Sequence, residues 1–135
     1  MRNPFHPGDQ QTHRYTVVAA DFAQFEAGGG LVHPVLSTFA LTREMEWAGR
    51  LFVLQMREAG EEGIGTMVEV QHHAPAFEGE TVELTATFAA LNGRELLCTV
   101  EARVGERLVA TGRTGQRIVD KHKLAARFAA LRAAE

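Results

Sequence analysis

The sequence predicts an α+β domain in which one long helix is wrapped by a curved antiparallel sheet. Three observations carry that expectation. A helical stretch runs from Ser37 or Thr38 to Ala59 without a Gly-Pro pair to interrupt it. Its apolar residues, among them Phe39, Leu41, Met45, Trp47, Leu51, Phe52, Leu54 and Met56, go most of the way round, and a helix apolar on nearly all sides must be covered. The stretches that follow carry period-two patterning rich in Val, Thr and Leu, which is what half-buried strands show.

Taken in order, residues Met1 to Gln11 hold Pro4, Pro7 and Gly8 and read as a loose arm. Tyr15-Thr16-Val17-Val18 reads as a strand, and Asp21 to Glu26 is ambiguous between a strand end and a short helix. Gly28-Gly29-Gly30 breaks the chain, and the long helix then runs until Gly60 closes it. At 1.5 Å per residue it should be about 30 Å long. Strands are expected over Gly63 to Ala74, Thr81 to Leu91, Glu95 to Val104 and Arg107 to Val119. Asn92-Gly93 and Gly105-Glu106 sit where tight hairpins belong, so the last three strands should form an antiparallel meander. An Ala-rich helix, Lys121 to Ala134, ends the chain. This layout is that of a hotdog fold. With two open sheet edges and one helix, a homodimer or a tetramer is expected, with the sheet continuing between subunits.

The 135 residues form a chain of one-domain length, with 14 Lys+Arg against 17 Asp+Glu and a net charge of -3. Nucleic acid as main partner is disfavoured, because phosphate binding needs a clustered basic face. No segment approaches the roughly 20 apolar residues that would span a membrane. Cys98, the sole cysteine, has no partner for an internal disulfide, and the polar start of the chain reads as free of a signal peptide. Both point to a reduced, cytoplasmic protein.

Phosphate-loop, dinucleotide-fingerprint, nucleophile-elbow and Cys-x-x-Cys motifs are absent. Cys98 shares strand parity with Leu96 and Val100, so it belongs to the core. Neighbouring His72 and His73 point to opposite faces of a strand and cannot share a metal ion, so no metal is expected. His72 has the parity of Val68 and Val70 and should face the helix, whereas His73 should face solvent or a partner. On the helix, Thr38, Thr42 and Glu46 recur every four residues as a polar stripe. Glu46 stands between Met45 and Trp47 as a candidate for acid–base work, or else pairs with Arg50 at i+4 on the surface. Thr38 could equally be the helix N-cap. Thr38 and Glu46 lie two turns apart, roughly 12 Å, so a shared ligand must run along the helix.

The stretch Val35-Leu36-Ser37-Thr38, then Glu46-Trp47-Ala48, Gly65-Thr66 and His72, with the turn Phe77-Glu78-Gly79-Glu80-Thr81-Val82, resembles the hotdog thioesterases related to fluoroacetyl-CoA thioesterase. The resemblance covers about Tyr15 to Phe128. It implies that Thr38, Glu46 and His72 act together on an acyl-CoA thioester, with CoA arriving as part of the substrate and no separate cofactor. Gly65 and Thr42 are then expected beside the reacting group, Leu31 and Val32 beside the acyl group, and Arg113 and Arg117 as partners for CoA phosphates. Fluoroacetyl-specific members are aromatic just before the helix. This chain has Gly28-Gly29-Gly30-Leu31-Val32-His33 there, which predicts another small or medium acyl group. The stretch Gly112 to Arg117 also lacks the His-Glu pair of some relatives. Two other functions compete. A hotdog enoyl hydratase or dehydratase would carry an Asp-x-Asn-x-x-His pattern, which is absent. A non-catalytic acyl-CoA-binding sensor would need a pocket but not the trio.

Overall fold

The computed structural model describes residues 1–134, with the side chain of Glu26 excepted. The elements, in chain order, are β1 (Gln10–Thr16), β2 (Phe22–Phe25), β3 (Gly30–Leu36), α1 (Thr38–Met56), β4 (Glu61–His72), β5 (Thr81–Asn92), β6 (Glu95–Val104), β7 (Arg107–Asp120) and α2 (Lys121–Ala133). Five strands make one antiparallel sheet in the order β1-β5-β6-β7-β4, and β2 and β3 pair as a separate hairpin. One helix seated in a curved antiparallel sheet is the hotdog architecture, as the patterning predicts.

Both hairpins of the meander close on two-residue turns: Asn92 pairs Glu95 and Val104 pairs Arg107. Each turn begins with a glycine in the left-handed region, Gly93 at φ 64° and Gly105 at φ 57°, which a side chain would resist. Alternation then sorts the sheet. Val82, Leu84, Ala86 and Phe88 of β5 and Leu96, Cys98, Val100 and Ala102 of β6 are buried against Leu41, Met45, Ala48, Phe52 and Val53 of α1. Burying a side chain of the size of Leu or Phe contributes roughly 1.5–3 kcal/mol, so this inner layer fixes where α1 lies.

Four expectations need correction. The arm is not loose: the Met1 amine lies 2.6 Å from Glu61, and the Phe5 ring meets Phe52 edge-on at 4.8 Å. Its proline and glycine content hid an aromatic anchor whose partner lies far along the chain. The first strand is Gln10–Thr16 rather than Tyr15 to Val18, because its register is set by pairing with β5 from Gln10↔Thr87 to Thr16↔Thr81. The long helix ends at Met56, since Gly60 forms a turn at φ 81° and β4 begins at Glu61. Nor is α1 covered on every side, for Phe39 is 81% and Trp47 43% exposed. No helix among the described residues is long and apolar enough to cross a membrane.

Candidate active site

The start of α1 and the end of β4 meet. Ser37 is the N-cap, its side chain accepting a hydrogen bond from the Ala40 amide at 3.0 Å. That leaves the Thr38 hydroxyl free for another partner, and it finds His72: Thr38 Oγ1 and His72 Nδ1 share a hydrogen bond of 2.9 Å. His72 faces the helix as its parity with Val68 and Val70 requires, whereas His73 points away and its Nε2 meets Thr111 Oγ1 at 2.8 Å on the exposed side. The second ring nitrogen, His72 Nε2, is buried with no partner in the described structure. Burial lowers the His72 pKa from its ordinary 6.5, because the charged imidazolium is poorly solvated there. A neutral imidazole with one nitrogen held and the other unengaged is the arrangement a proton shuttle needs.

Glu46 lies elsewhere. Two turns further along α1, its carboxylate sits over Gly65 of β4, so close that a Cβ built on Gly65 would fall 2.1 Å from Oε1. A side chain at this position would therefore have to push the Glu46 carboxylate aside. The helix is drawn against the sheet at this level by β7: the partly buried contact from Gln116 Nε2 to the Glu46 carbonyl is 3.1 Å, and a Cβ on Gly49 would fall 2.5 Å from Thr114 Oγ1. The surface pairing of Glu46 with Arg50 does not form, since Arg50 binds Glu62 at 3.0 Å. Glu46 makes no salt bridge among the described residues. Its carboxylate opens on a cavity of about 400 Å³ lined by His13, Glu44, Trp47, Gly65 and Gln116.

A single chain thus unites Thr38 with His72 and sets Glu46 with Gly65. Known proteins similar in sequence and shape give this geometry its context. A family model described as fluoroacetyl-CoA-specific thioesterase matches residues 17–122. The chain belongs to that thioesterase family. The fluoroacetyl-CoA thioesterase of Streptantibioticus cattleyicolor is 26% identical over 138 aligned positions, which cover 94% of each chain. A crystal structure of a Thermus thermophilus hypothetical protein of the thioesterase superfamily superimposes with a TM-score of 0.91 at 36% identity, covering 97% of this chain and 96% of that one. A solved structure of fluoroacetyl-CoA thioesterase superimposes with a TM-score of 0.83 at 25% identity, covering 93% and 96%. The present protein is accordingly a thioester hydrolase with the hotdog fold.

The remaining expected residues of this thioesterase are dispersed. Thr42 spends its hydroxyl on the helix backbone, donating to the Thr38 carbonyl at 2.7 Å. Leu31 and Val32 stand exposed on β3. Arg113 binds Glu69 at 2.7 Å and Arg117 binds Glu95 at 3.1 Å, both on exposed sites. Sequence reasoning missed the pair His13 Nε2 and Glu44 Oε1, 3.0 Å apart beside Trp47. Next to it Arg43 joins Glu44 and Asp21, and Tyr15 donates to Asp21. The alternation of His13 with Tyr15 on β1 was the available signal. Cys98 is buried, and burial pushes its thiol up to about 12, as a core residue should show.

Proposed function

We propose that this single-domain protein hydrolyses a small or medium acyl-CoA thioester to the free acid and CoA, with Thr38, Glu46 and His72 as its working residues. The observation that carries the reading is the 2.9 Å bond between Thr38 and His72, which leaves Nε2 buried and unengaged. When Nδ1 donates to Thr38 Oγ1, Nε2 keeps its lone pair and can take a proton. Glu46 attacks the thioester carbonyl or activates the water that does. Thr38 or a backbone N–H near Gly65 steadies the oxyanion. The C–S bond then breaks, and the proton taken from water returns to the departing CoA sulfur.

The trio is completed by a second copy. β4 is an edge strand, and antiparallel pairing of two copies along it sets the end that carries His72 beside the earlier half of the partner's β4, which carries Gly65. Since Gly65 lies under Glu46, the same pairing brings the partner's Glu46 toward Thr38 and His72. It also gives the exposed face of α1, with Phe39 and Trp47, an apolar neighbour. The proposed setting is the cytoplasm, where Cys98 stays reduced. No cofactor is called for.

Thiol release measured across acetyl-, propionyl-, phenylacetyl- and fluoroacetyl-CoA tests the activity. Because Leu31 and Val32 replace an aromatic segment, fluoroacetyl-CoA is expected to have no large advantage in kcat/KM over the others. A stable monomer in sedimentation at micromolar concentration would exclude the composite site. Mixing inactive Glu46→Gln and His72→Asn chains should restore about a quarter of the wild-type activity, since half of the dimers then hold one intact site of two.

A further inference from the structure

Among the described residues two polar side chains are buried, Thr114 at 1% and Gln116 at 3% exposed. They stand two apart on β7 and both meet α1 at Gly49. Thr114 is matched by the Cys98 thiol, with which it shares a hydrogen bond. Gln116 is matched on one side only. Its Nε2 donates to the Glu46 carbonyl at 3.1 Å. That carbonyl can only accept, so the amide nitrogen must face α1 and the amide oxygen must face away from it. Gln116 Oε1 lies over Gly63 of β4, 3.6 Å from where a Cβ would stand, and has no hydrogen-bond partner among the described residues. Gly63 and Gln116 both line the cavity on which Glu46 opens. A buried amide oxygen without a partner is costly, and an apolar side chain of the same length would fill the space without that cost. The oxygen is thus available to a donor that enters the cavity.

The neighbouring group identifies the donor. The Glu46 carboxylate lies over Gly65 as Gln116 Oε1 lies over Gly63. Residues two apart on a strand share a face and are roughly 6–7 Å apart, close to the span of two hydrogen bonds of about 2.8 Å placed end to end. An ionised carboxylate and an amide oxygen both accept, so a molecule that bridges them must carry two donor hydrogens. We infer that Gln116 Oε1 positions the attacking water, which gives one hydrogen bond to it and the other to Glu46; this rests on the thioesterase reading above, with Glu46 as the general base. As the water oxygen forms its bond to the thioester carbon, Glu46 takes one proton and the carbonyl π electrons move onto the oxyanion. The second O–H stays with Gln116 and becomes the hydroxyl of the product acid. Collapse of the oxyanion breaks the C–S bond, and the proton held by Glu46 passes to the departing CoA sulfur. Holding both hydrogens aims the oxygen lone pair at the carbon, so Gln116 contributes orientation and Glu46 the proton transfer.

Methanol tests this, because it has one O–H to give to Glu46 and none for Gln116. Gln116→Met, of similar length but without the amide oxygen, should lower kcat for hydrolysis by about tenfold, the kinetic equivalent of one hydrogen bond, with KM unchanged. With methanol added, methyl ester should form as fast as in the wild-type protein, so the ratio of ester to free acid rises by the same factor. Gln116→Asn, which keeps the amide but withdraws it by one methylene, carries the same expectation should Gln116→Met not fold. Thr114→Val alters the other buried polar group and should leave the ratio as in the wild type. A displaced Glu46 would slow both nucleophiles alike. A ratio unchanged by the Gln116 variants would therefore reduce Gln116 to a tie between β7 and α1 and overturn the assignment, as would an undiminished kcat or an equal rise with Thr114→Val. A wild-type protein that releases no thiol from any acyl-CoA would strike instead at the thioesterase reading, and the water assignment would go with it.

Discussion

The two helices of this protein are put to opposite uses. α1 has 19 residues, eight of them buried, and the sheet closes around it. α2 has 13 residues and none is buried; its fixed point is the Asp120 cap. A helix that contributes so much to the core has side chains whose positions are set by packing, which is where reacting groups are best carried. A helix that contributes nothing to the core is stabilised by little beyond its own propensity and cap, so the residues it presents are open to binding. Substitutions on α1 and on α2 should therefore differ sharply in their effects.

The largest expected effects lie on α1 and the strand facing it. Glu46→Gln and His72→Asn should each lower kcat by at least about 10²-fold, the lower end for removal of a general base, with the thermal unfolding temperature little changed. Thr38→Ala should lose less. His73→Asn should be nearly neutral, because its ring meets Thr111 on the exposed side; a loss at His73 as large as at His72 would remove the proposed site. Phe52→Ala should cost about 3–5 kcal/mol in denaturant unfolding, since Phe52 is fully buried and receives the Phe5 ring. Leu131→Ala on α2, by contrast, should stay within about 0.5 kcal/mol of wild type in the same measurement.

Between these extremes lies Gly65→Ala. The new methyl would displace the Glu46 carboxylate rather than backbone, so it should reduce kcat by up to about 10²-fold while unfolding is little affected. A finer measurement concerns pH. The pKa of His72 is depressed by burial, so the neutral ring persists below the ordinary 6.5 and the acid limb of kcat/KM should fall below that value. Stability follows the same sign: in the window below 6.5 the unfolded chain binds the proton first, so stability contributed by the neutral ring is lost as pH falls through the folded pKa. His72→Asn should flatten that part of the stability profile.

Much of this was legible in the chain itself, wherever the information is local. Strand parity placed His72 against the helix and His73 away from it, and the rise of a helix already separated Glu46 from Thr38. The hairpins at Gly93 and Gly105 follow from turn chemistry. What escaped depended on distant partners. Phe5 packs on Phe52 and Phe88, His13 meets Glu44 across the sheet and helix, and Arg50 prefers Glu62 to its helical neighbour Glu46. Nothing in the spacing of those residues announces the contact, because each depends on how the sheet curls. The exposure of Phe39 and Trp47 escaped for the related reason that apolar periodicity shows that a face must be covered without showing that the cover belongs to the same chain.

Cys98 has a practical and a physiological corollary. Each turnover of the proposed reaction liberates a thiol, and thiols exchange with disulfides only through an accessible thiolate. A sulfur that is 1% exposed and whose ionisation is pushed up to about 12 offers almost none at neutral pH. The native enzyme should neither be captured as a mixed disulfide by oxidised CoA nor titrate with a thiol reagent, so every equivalent of reagent consumed in its presence counts product.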